Sequence, residues 1–304
     1  MDMLAPTLLR RLDPTTLRLF VAMCEDGTLT QAARRAAIAP SAVSKRLVEL
    51  EQSLGVQLMT RQARGMVMTP AGETLLHHAR RMLHDVEQIV VELAEHAKGV
   101  RGIVRMFANL SAIVQFLPED LRAFLARQET IKISLEERPS GGVVAGVEAG
   151  LAELGICSGS IPARDLHSVL YRRDSLVVVM RPDHPLADRP ALAFRETLDH
   201  DFVGLHAESS IYASVRGEAQ SIGRPLRLRV HVPGFDAVLR MAQADMGLGV
   251  VPLGVFALLG KPMDLAAIPL TDPWAQRELR IVTRPGALSP AASLLVASLT
   301  ADAA

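Results

Sequence analysis

Residues 28–51 read TLTQAARRAAIAPSAVSKRLVELE, and their spacing predicts two short helices joined by a tight turn. Thr30 offers a hydroxyl to the free N–H groups of a helix over 31–36. Ala32, Ala33 and Ala36 are small, so a neighbouring helix can approach closely on that face. Ala37, Ile38 and Ala39 form the connection, and Pro40 suits the first turn of the next helix. Along that second helix Val43, Leu47 and Leu50 recur at steps of four and three, giving one buried stripe. Ser41, Ser44, Lys45 and Val48 fall off the stripe, mixing small polar, cationic and apolar side chains. Such a face can lie in a major groove, bonding base edges and touching thymine methyls. An ordinary α-hairpin with a solvated face fits the same pattern.

The residues that follow favour the DNA reading. Gly55 ends the helical pattern, and two extended runs, 57–60 and 66–69, flank a polar, glycine-closed turn formed by Arg61, Gln62, Ala63, Arg64 and Gly65. That is the pattern of a β-hairpin wing. From Gly27 to Pro70 six cations (Arg34, Arg35, Lys45, Arg46, Arg61, Arg64) face only Glu49 and Glu51, a net charge of +4 in a chain that is neutral overall. Backbone phosphates require such local positive charge, and Arg61 and Arg64 are placed to reach phosphates or a minor groove.

Phe20, Ala32-Ala33, Ser41-Ala-Val-Ser-Lys-Arg, Leu50-Glu51, Leu54-Gly55, Arg61 and Thr69-Pro-Ala-Gly72 fall in the order and spacing of LysR-type transcriptional regulators, which the chain resembles. The resemblance implies a winged helix-turn-helix whose recognition helix carries Ser41, Ser44, Lys45 and Arg46 near an operator, with Thr30 and Gln31 beside it. It also implies wing contacts from Arg61 and Arg64. Two departures are visible. Ala39 and Pro40 stand where many members have a polar residue and glutamine, which leaves base reading mainly to Ser41, Ser44, Lys45 and Arg46. Met59 replaces a usual phenylalanine, an exchange that a flexible methionine accommodates in a core.

Residues 71–98 read as one long helix, roughly 40 Å at 1.5 Å per residue. Leu76, Ala79, Leu83, Val86, Val90, Leu93 and Ala97 alternate steps of three and four, the seam of a coiled coil. Leu75, Met82 and Ile89 form a second stripe that widens the apolar face. A helix packed against its own domain is the alternative, but so much apolar surface calls for a partner, and a second copy is the simplest one. The resemblance agrees, since this linker helix is the family's usual dimerisation element. A dimer places two recognition helices on successive turns of DNA and predicts an inverted-repeat operator. A homotetramer is implied by the resemblance alone, and RNA polymerase is a further candidate partner.

Gly99-Val-Arg-Gly102 marks a linker. Beyond it short apolar runs (104–107, 132–135, 154–157, 175–180, 229–232, 279–283) alternate with helical patterns (117–127, 143–149, 213–222, 237–246), which indicates α/β layers with largely parallel sheets. The resemblance implies the effector-binding module shared with periplasmic solute-binding proteins, in which the chain passes twice between two subdomains. The crossings are expected at 159–164 and 263–269. The fold expected is therefore multi-domain: an all-α winged helix-turn-helix (13–70) with a long linker helix (71–98), followed by an α/β domain of the type 2 periplasmic-binding-protein kind (101–304). Its subdomain I would comprise 101–160 and 268–304, and its subdomain II 161–267.

A ligand is expected in the crevice at the carboxyl ends of the strands, between the subdomains. The run 104–108 leads into Asn109-Leu-Ser-Ala112 and then a helix, whose free N–H groups would favour an anion such as a carboxylate. Ser111 is the first-choice contact, with Ala112 beside it. The first crossing supplies Ser158 and Ser160, the corner after strand 202–205 supplies Ser209 and Ser210, and Phe235 would form an apolar wall. Each serine taken alone reads more readily as a helix cap than as a ligand contact.

Other motifs carry less. Gly247-Leu-Gly-Val-Val-Pro252 lacks the third glycine of a nucleotide fingerprint and precedes a strand-like run. His77, His78 and His84 lack the four-residue spacing that presents two imidazoles to zinc. Cys24 and Cys157 sit beside apolar residues in different expected domains and read as reduced, buried thiols. The chain shows no nucleophile elbow, Walker loop or metalloprotease motif, so neither a catalytic residue, a metal nor a cofactor is expected. The apolar stretch at 248–259 is broken by Pro252 and too short for a membrane span. The N-terminus lacks a basic start followed by an apolar core, which predicts a cytoplasmic chain. Neutral overall charge disfavours blanket coating of nucleic acid. The leading reading is thus a regulator of transcription whose operator binding responds to a small organic anion. The alternative is a cytoplasmic ligand-binding protein or enzyme whose N-terminal helices serve only oligomerisation.

Overall fold

The computed structural model describes residues 12–62, 65–96, 102–163, 165–286 and 288–301. The chain divides into two compact units, Met1–Gly99 and Val100–Ala304.

The first unit begins with helix α1 (Pro14–Asp26), capped by Asp13, whose carboxylate accepts the N–H groups of Thr15 and Thr16. Gly27, at φ 68°, ends it in the left-handed conformation that glycine adopts without a steric penalty. Helix α2 (Leu29–Arg35) follows at once, and its cap is Thr28, whose Oγ accepts the Gln31 N–H at 3.3 Å. Thr30, the expected cap, lies exposed inside the first turn. The reversal at Gly27 has already put Thr28 in the extended geometry a cap requires. The turn out of α2 passes through Ala37 at φ 53°.

Helix α3 (Pro40–Leu54) has proline in its first turn and buries Val43, Leu47 and Leu50. Ala32 and Ala33 are buried with them, together with Leu19, Phe20, Met23, Leu58 and Met59. Met59 thus takes a core position in the first strand of the hairpin. That hairpin pairs β1 (Met59–Gln62) with β2 (Gly65–Met68), Met59 opposite Met68. Glu51, near the end of α3, accepts the N–H groups of Leu58 (2.7 Å) and Met59 (3.1 Å) and so ties helix to wing. Gly72 is obligatory by close approach, because a Cβ there would collide with the Leu58 carbonyl oxygen.

Helix α4 (Pro70–His96) spans 27 residues. Its start packs on its own domain, with Leu75 and Leu76 against the core and Ala79 fully buried. Further on, Met82, Val86 and Ile89 are 44 %, 37 % and 56 % exposed. The two expected stripes therefore divide along the helix as well as around it: the first turns serve the domain, and the later ones offer an uncovered apolar face. Ala97 and the linker residues 99–101 lie outside the described residues, as do the side chains of Val90 and Leu93.

The second unit opens with β3 (Gly102–Ala108), which lies parallel to both β4 (Ile131–Glu137) and β5 (Leu154–Ser158). Helices α5 (Leu110–Gln115), α6 (Leu117–Leu125) and α7 (Ser140–Glu148) connect these strands. Strand β6 (His167–Met180) is long and serves two sheets. Its first part, from His167 to Ser175, pairs antiparallel with β11 (Gln276–Thr283). Its second part pairs with β9 (Leu248–Pro252) and β10 (Ala266–Pro269). Between them lie β7 (Phe202–Leu205), α8 (Ser210–Ser221), β8 (Leu228–Val232) and α9 (Phe235–Gln243), with β7 parallel to β8 and β9. Helix α10 (Pro290–Thr300) closes the described chain.

Two lobes result, each with its own core, the first around Met106, Ile156 and Ile281, the second around Val178, Phe202 and Leu239. The sheet is mixed, since β6, β10 and β11 run antiparallel to their neighbours. The crossings also differ from the expected 159–164 and 263–269. After β5 the chain stays on the first lobe: the Gly159 N–H reaches the Glu278 carbonyl, and β6 follows β11 as far as Ser175. The first crossing is thus the step from Ser175 to Leu176 within one strand. The second follows Ala275: the Thr271 N–H reaches the Leu192 carbonyl, Asp272 accepts from the Phe194 N–H, Ala275 belongs to the core around Val178, and β11 then begins at Gln276. Gly247 opens β9 at φ 141°, where a Cβ would lie 2.5 Å from the Asp201 carbonyl oxygen, so this glycine serves a close backbone approach. Among the described residues no helix is long and apolar enough to cross a membrane.

Candidate functional site

In the first unit the polar side of α3 is open. Ser41, Ser44, Lys45, Arg46 and Val48 are exposed, as are Thr30 and Gln31 on α2, while the stripe of Val43, Leu47 and Leu50 faces inward. Gln31 is held by Thr28, whose hydroxyl donates to its side-chain oxygen at 2.7 Å. Arg46 is also held. Its Nη1 donates to Thr16 Oγ1 at 2.9 Å and lies 3.6 Å from Asp13 Oδ2. Burial alone would raise the Asp13 carboxyl, but bonds from Thr16 and Thr15, with Arg46 nearby, hold it below the usual range. Arg35 pairs with Glu25 at 2.9 Å, and its hydrogen bond is the main reason that carboxyl is also held low. The +4 window stops at Gly27 and so leaves out Asp13, Glu25 and Asp26; two of its cations are partly neutralised by residues just upstream. Arg61 lies in β1 opposite Met66, with its side chain outside the described set, and Arg64 lies outside the described residues.

In the second unit Ser111, Ser209, Ser210 and Phe235 line one pocket between the lobes, as expected. Asn109, Glu137, Ser140 and His206 line it too, and the sequence reading missed them. Ala112, Ser158 and Ser160 do not line it. Ala112 is buried under its own cap, its N–H bonded to Asn109 Oδ1 at 3.0 Å. Ser158 sits one layer behind: its N–H is covered by Ser140 Oγ, and its hydroxyl is shared with that of Ser160. Phe235, 2 % exposed, forms the apolar wall.

The pocket is a meeting of helix starts. Helices α5, α7, α8 and α9 all begin on its wall, at Asn109, Pro139, Ser209 and Phe235. Of these only α5 has a side-chain cap; α7, α8 and α9 have none. The free N–H groups of those three longer helices, with their dipoles, supply positive potential to the space between them. Ser140 Oγ accepts from Asn109 Nδ2 and from the Ser158 N–H, so both lone pairs are used and its proton is left to donate. Such an arrangement can hold a small anionic or strongly accepting group without a lysine or arginine in contact. The signal for Ser140 was present as Pro139-Ser-Gly-Gly after a strand, the same strand-to-helix corner that found Ser111 and Ser209.

Beyond the pocket, His184 and His200 stack edge-on, 4.6 Å between ring centroids, in a hollow with Arg181, Asp201, Arg229 and Asp245. Among the described residues no group of three or more metal-binding side chains converges.

Residues 14–73 match the model of the bacterial regulatory helix-turn-helix proteins of the LysR family, and residues 97–304 match the LysR substrate binding domain. The chain belongs to the LysR family of transcriptional regulators, proteins that bind DNA and an effector and are not enzymes. It is 26 % identical over 292 residues to the HTH-type transcriptional regulator YbhD of Escherichia coli, covering 94 % of this chain and 90 % of that one. Its fold matches the crystal structure of the LysR family regulator CbnR with a TM-score of 0.71 at 21 % identity, covering 96 % of this chain and 99 % of that one. CbnR bound to its target DNA matches at 0.69, 22 % identical, over 94 % and 98 % of the two chains. The effector binding domain of QuiR in complex with shikimate matches at 0.59, 16 % identical, over 65 % of this chain and 95 % of that one.

Proposed function

We propose that this regulator reads an inverted-repeat operator through α3 and the wing, and that a small organic anion in the pocket between the lobes changes its operator affinity. The observation that carries the second part is the convergence of three uncapped helix starts with Ser111, Ser140, Ser209 and Ser210 on one pocket wall. QuiR, a fold relative, holds shikimate in its effector domain, which fits a carboxylate-bearing ligand. For the first part, the exposed face of Ser41, Ser44, Lys45 and Arg46 has the size and chemistry of a major-groove reader, with Thr30, Gln31, Arg61 and Arg64 around it. CbnR, another fold relative, is seen on its target DNA.

The uncovered stripe of Met82, Val86 and Ile89, at steps of four and three along α4, supports a homodimer through residues 71–98. Residues 13–70 then form the DNA-binding domain and 101–304 the effector domain. A tetramer, contact with RNA polymerase and a cytoplasmic location complete the reading. The ligand acts by binding one arrangement of the assembly better than another. Footprinting the full chain on the DNA upstream of its own gene tests it. Protection of two half-sites one helical turn apart, altered by a small carboxylate, supports the proposal; sequence-independent binding in the micromolar range counts against it.

A further inference from the structure

Among the described residues Asp174 and Arg277 are the only charged side chains that are fully buried, their side chains 3 % and 6 % exposed. They are cross-strand partners on β6 and β11, one residue before β6 leaves the first lobe. Arg277 grips Asp174 with Nε, at 2.8 Å from Oδ1, and with Nη2 on Oδ2. Nη2 also donates to Ser111 Oγ at 3.2 Å, while Nη1 is buried with no partner. Gln115 completes the group. Its amide donates to Asp174 Oδ2 (3.0 Å) and to the Ser111 carbonyl (3.1 Å). Its Oε1 is so close to the second lobe that a Cβ at Gly254 would be 2.5 Å away.

A buried ion pair is a poor source of stability, because desolvation offsets most of its attraction. An unpartnered buried donor adds a further cost. What this pair does change is Ser111. A hydroxyl that accepts from a guanidinium has its own proton pushed outward, so Ser111 can meet the ligand as a donor. The bidentate pair is neutral overall, so the charge felt at the pocket wall depends on the balance between Arg277 and Asp174, passed on through the bond from Nη2 to Ser111. No lysine or arginine is among the described residues that line the pocket, and Glu137 lines it with the opposite sign.

We propose that Arg277 is a specificity-determining residue of the effector pocket, acting through Ser111. It makes the pocket select a carboxylate over the carboxamide of the same shape. This rests on the anion reading of the pocket given above. Gln115 and Asp174 are positioning residues that fix the guanidinium against Ser111.

The test uses the full chain and measures binding of benzoate, succinate and shikimate, each beside its primary amide, by calorimetry. For whichever carboxylate binds, Arg277→Gln, which removes the charge, is expected to lower the carboxylate-to-amide preference roughly tenfold, about what a lost charge-assisted bond contributes, with amide binding unchanged. Asp174→Asn is expected to move the preference the other way, since it leaves the cation less compensated; loss of packing alone would weaken both ligands together. Should Arg277→Gln not fold, the sign of the Asp174→Asn effect decides the matter. An unchanged preference, or parallel loss of both ligands, overturns the proposal while leaving the anion site standing. Failure of every carboxylate to bind the unmodified chain overturns both.

Discussion

Arg46 on the recognition helix donates to Thr16 Oγ1 at 2.9 Å, so α3 is pinned to the first turn of α1. The Arg46 side chain remains 44 % exposed. It is therefore pre-positioned for a phosphate, and it carries less sequence information than a free side chain would. On the proposed operator, Ser44, exposed on the same helix, is the residue expected to read a base. Arg46→Ala is expected to weaken binding to operator and random DNA alike and to lower the salt slope by about one. Ser44→Ala should instead cut the preference for operator about tenfold. Anisotropy titrations over a salt series distinguish the two, and equal losses on random DNA for Ser44→Ala would remove its assigned role.

The exposed stripe on α4 gives a second prediction. Met82→Asp with Ile89→Asp should convert a dimer to a monomer in sedimentation and abolish tight operator binding. Both side chains are exposed, at 44 % and 56 %, so the fold of the first unit is expected to survive, with its circular dichroism unchanged. A variant that remains dimeric and binds normally would show that this face is not the seam.

Parts of this architecture were legible because they depend on local periodicity. Val43, Leu47 and Leu50 announce the buried side of α3, and by exclusion the open side. The cap of α2 was less so, since Thr28 and Thr30 both carry hydroxyls and only the left-handed Gly27 decides between them. The first crossing was misplaced for a related reason. In β6 the run Leu176–Met180 is continuously buried and reads as a strand, whereas His167–Asp174 alternates between exposed and covered positions, and its role is set by β11. Ser140 escaped because Ser-Gly-Gly looks like a turn before it looks like a helix start. The Asp174–Arg277 pair joins residues 103 apart in sequence, and no pattern within either strand announces it.

The histidine pair predicts a pH dependence. Burial, and then the neighbouring His200, lower the His184 imidazole from its usual value of 6.5, while Asp245 and Asp183 act in the opposite sense. Arg181, Asp201 and Arg229 share the hollow. The unfolded chain then takes up this proton before the folded one, so His184 costs stability as pH falls below about 6.5, and the cost levels off once the folded form is protonated too. The melting temperature of the full chain should fall more steeply between pH 7.5 and 5.5 than that of His184→Gln. Parallel curves would contradict this.

Burial raises the thiols of Cys24 and Cys157 to about 11. Little thiolate is present at pH 8, and both should react with a thiol-specific disulfide reagent far more slowly than free cysteine. Rapid stoichiometric labelling of the folded chain would show that one of them is activated.

Under the proposed function, an anion held at Ser111, Ser140 and Ser209 in the second unit alters operator reading by α3 in the first. Titration of operator DNA with the full chain, with and without a carboxylate that calorimetry shows to bind, in the unmodified protein and in Ser209→Ala, decides whether the two are coupled. The expected result is a ligand-dependent shift in operator affinity of about 5- to 150-fold, with a higher ligand concentration needed in Ser209→Ala. An operator affinity unmoved by saturating ligand, or an identical response in the variant, would contradict it.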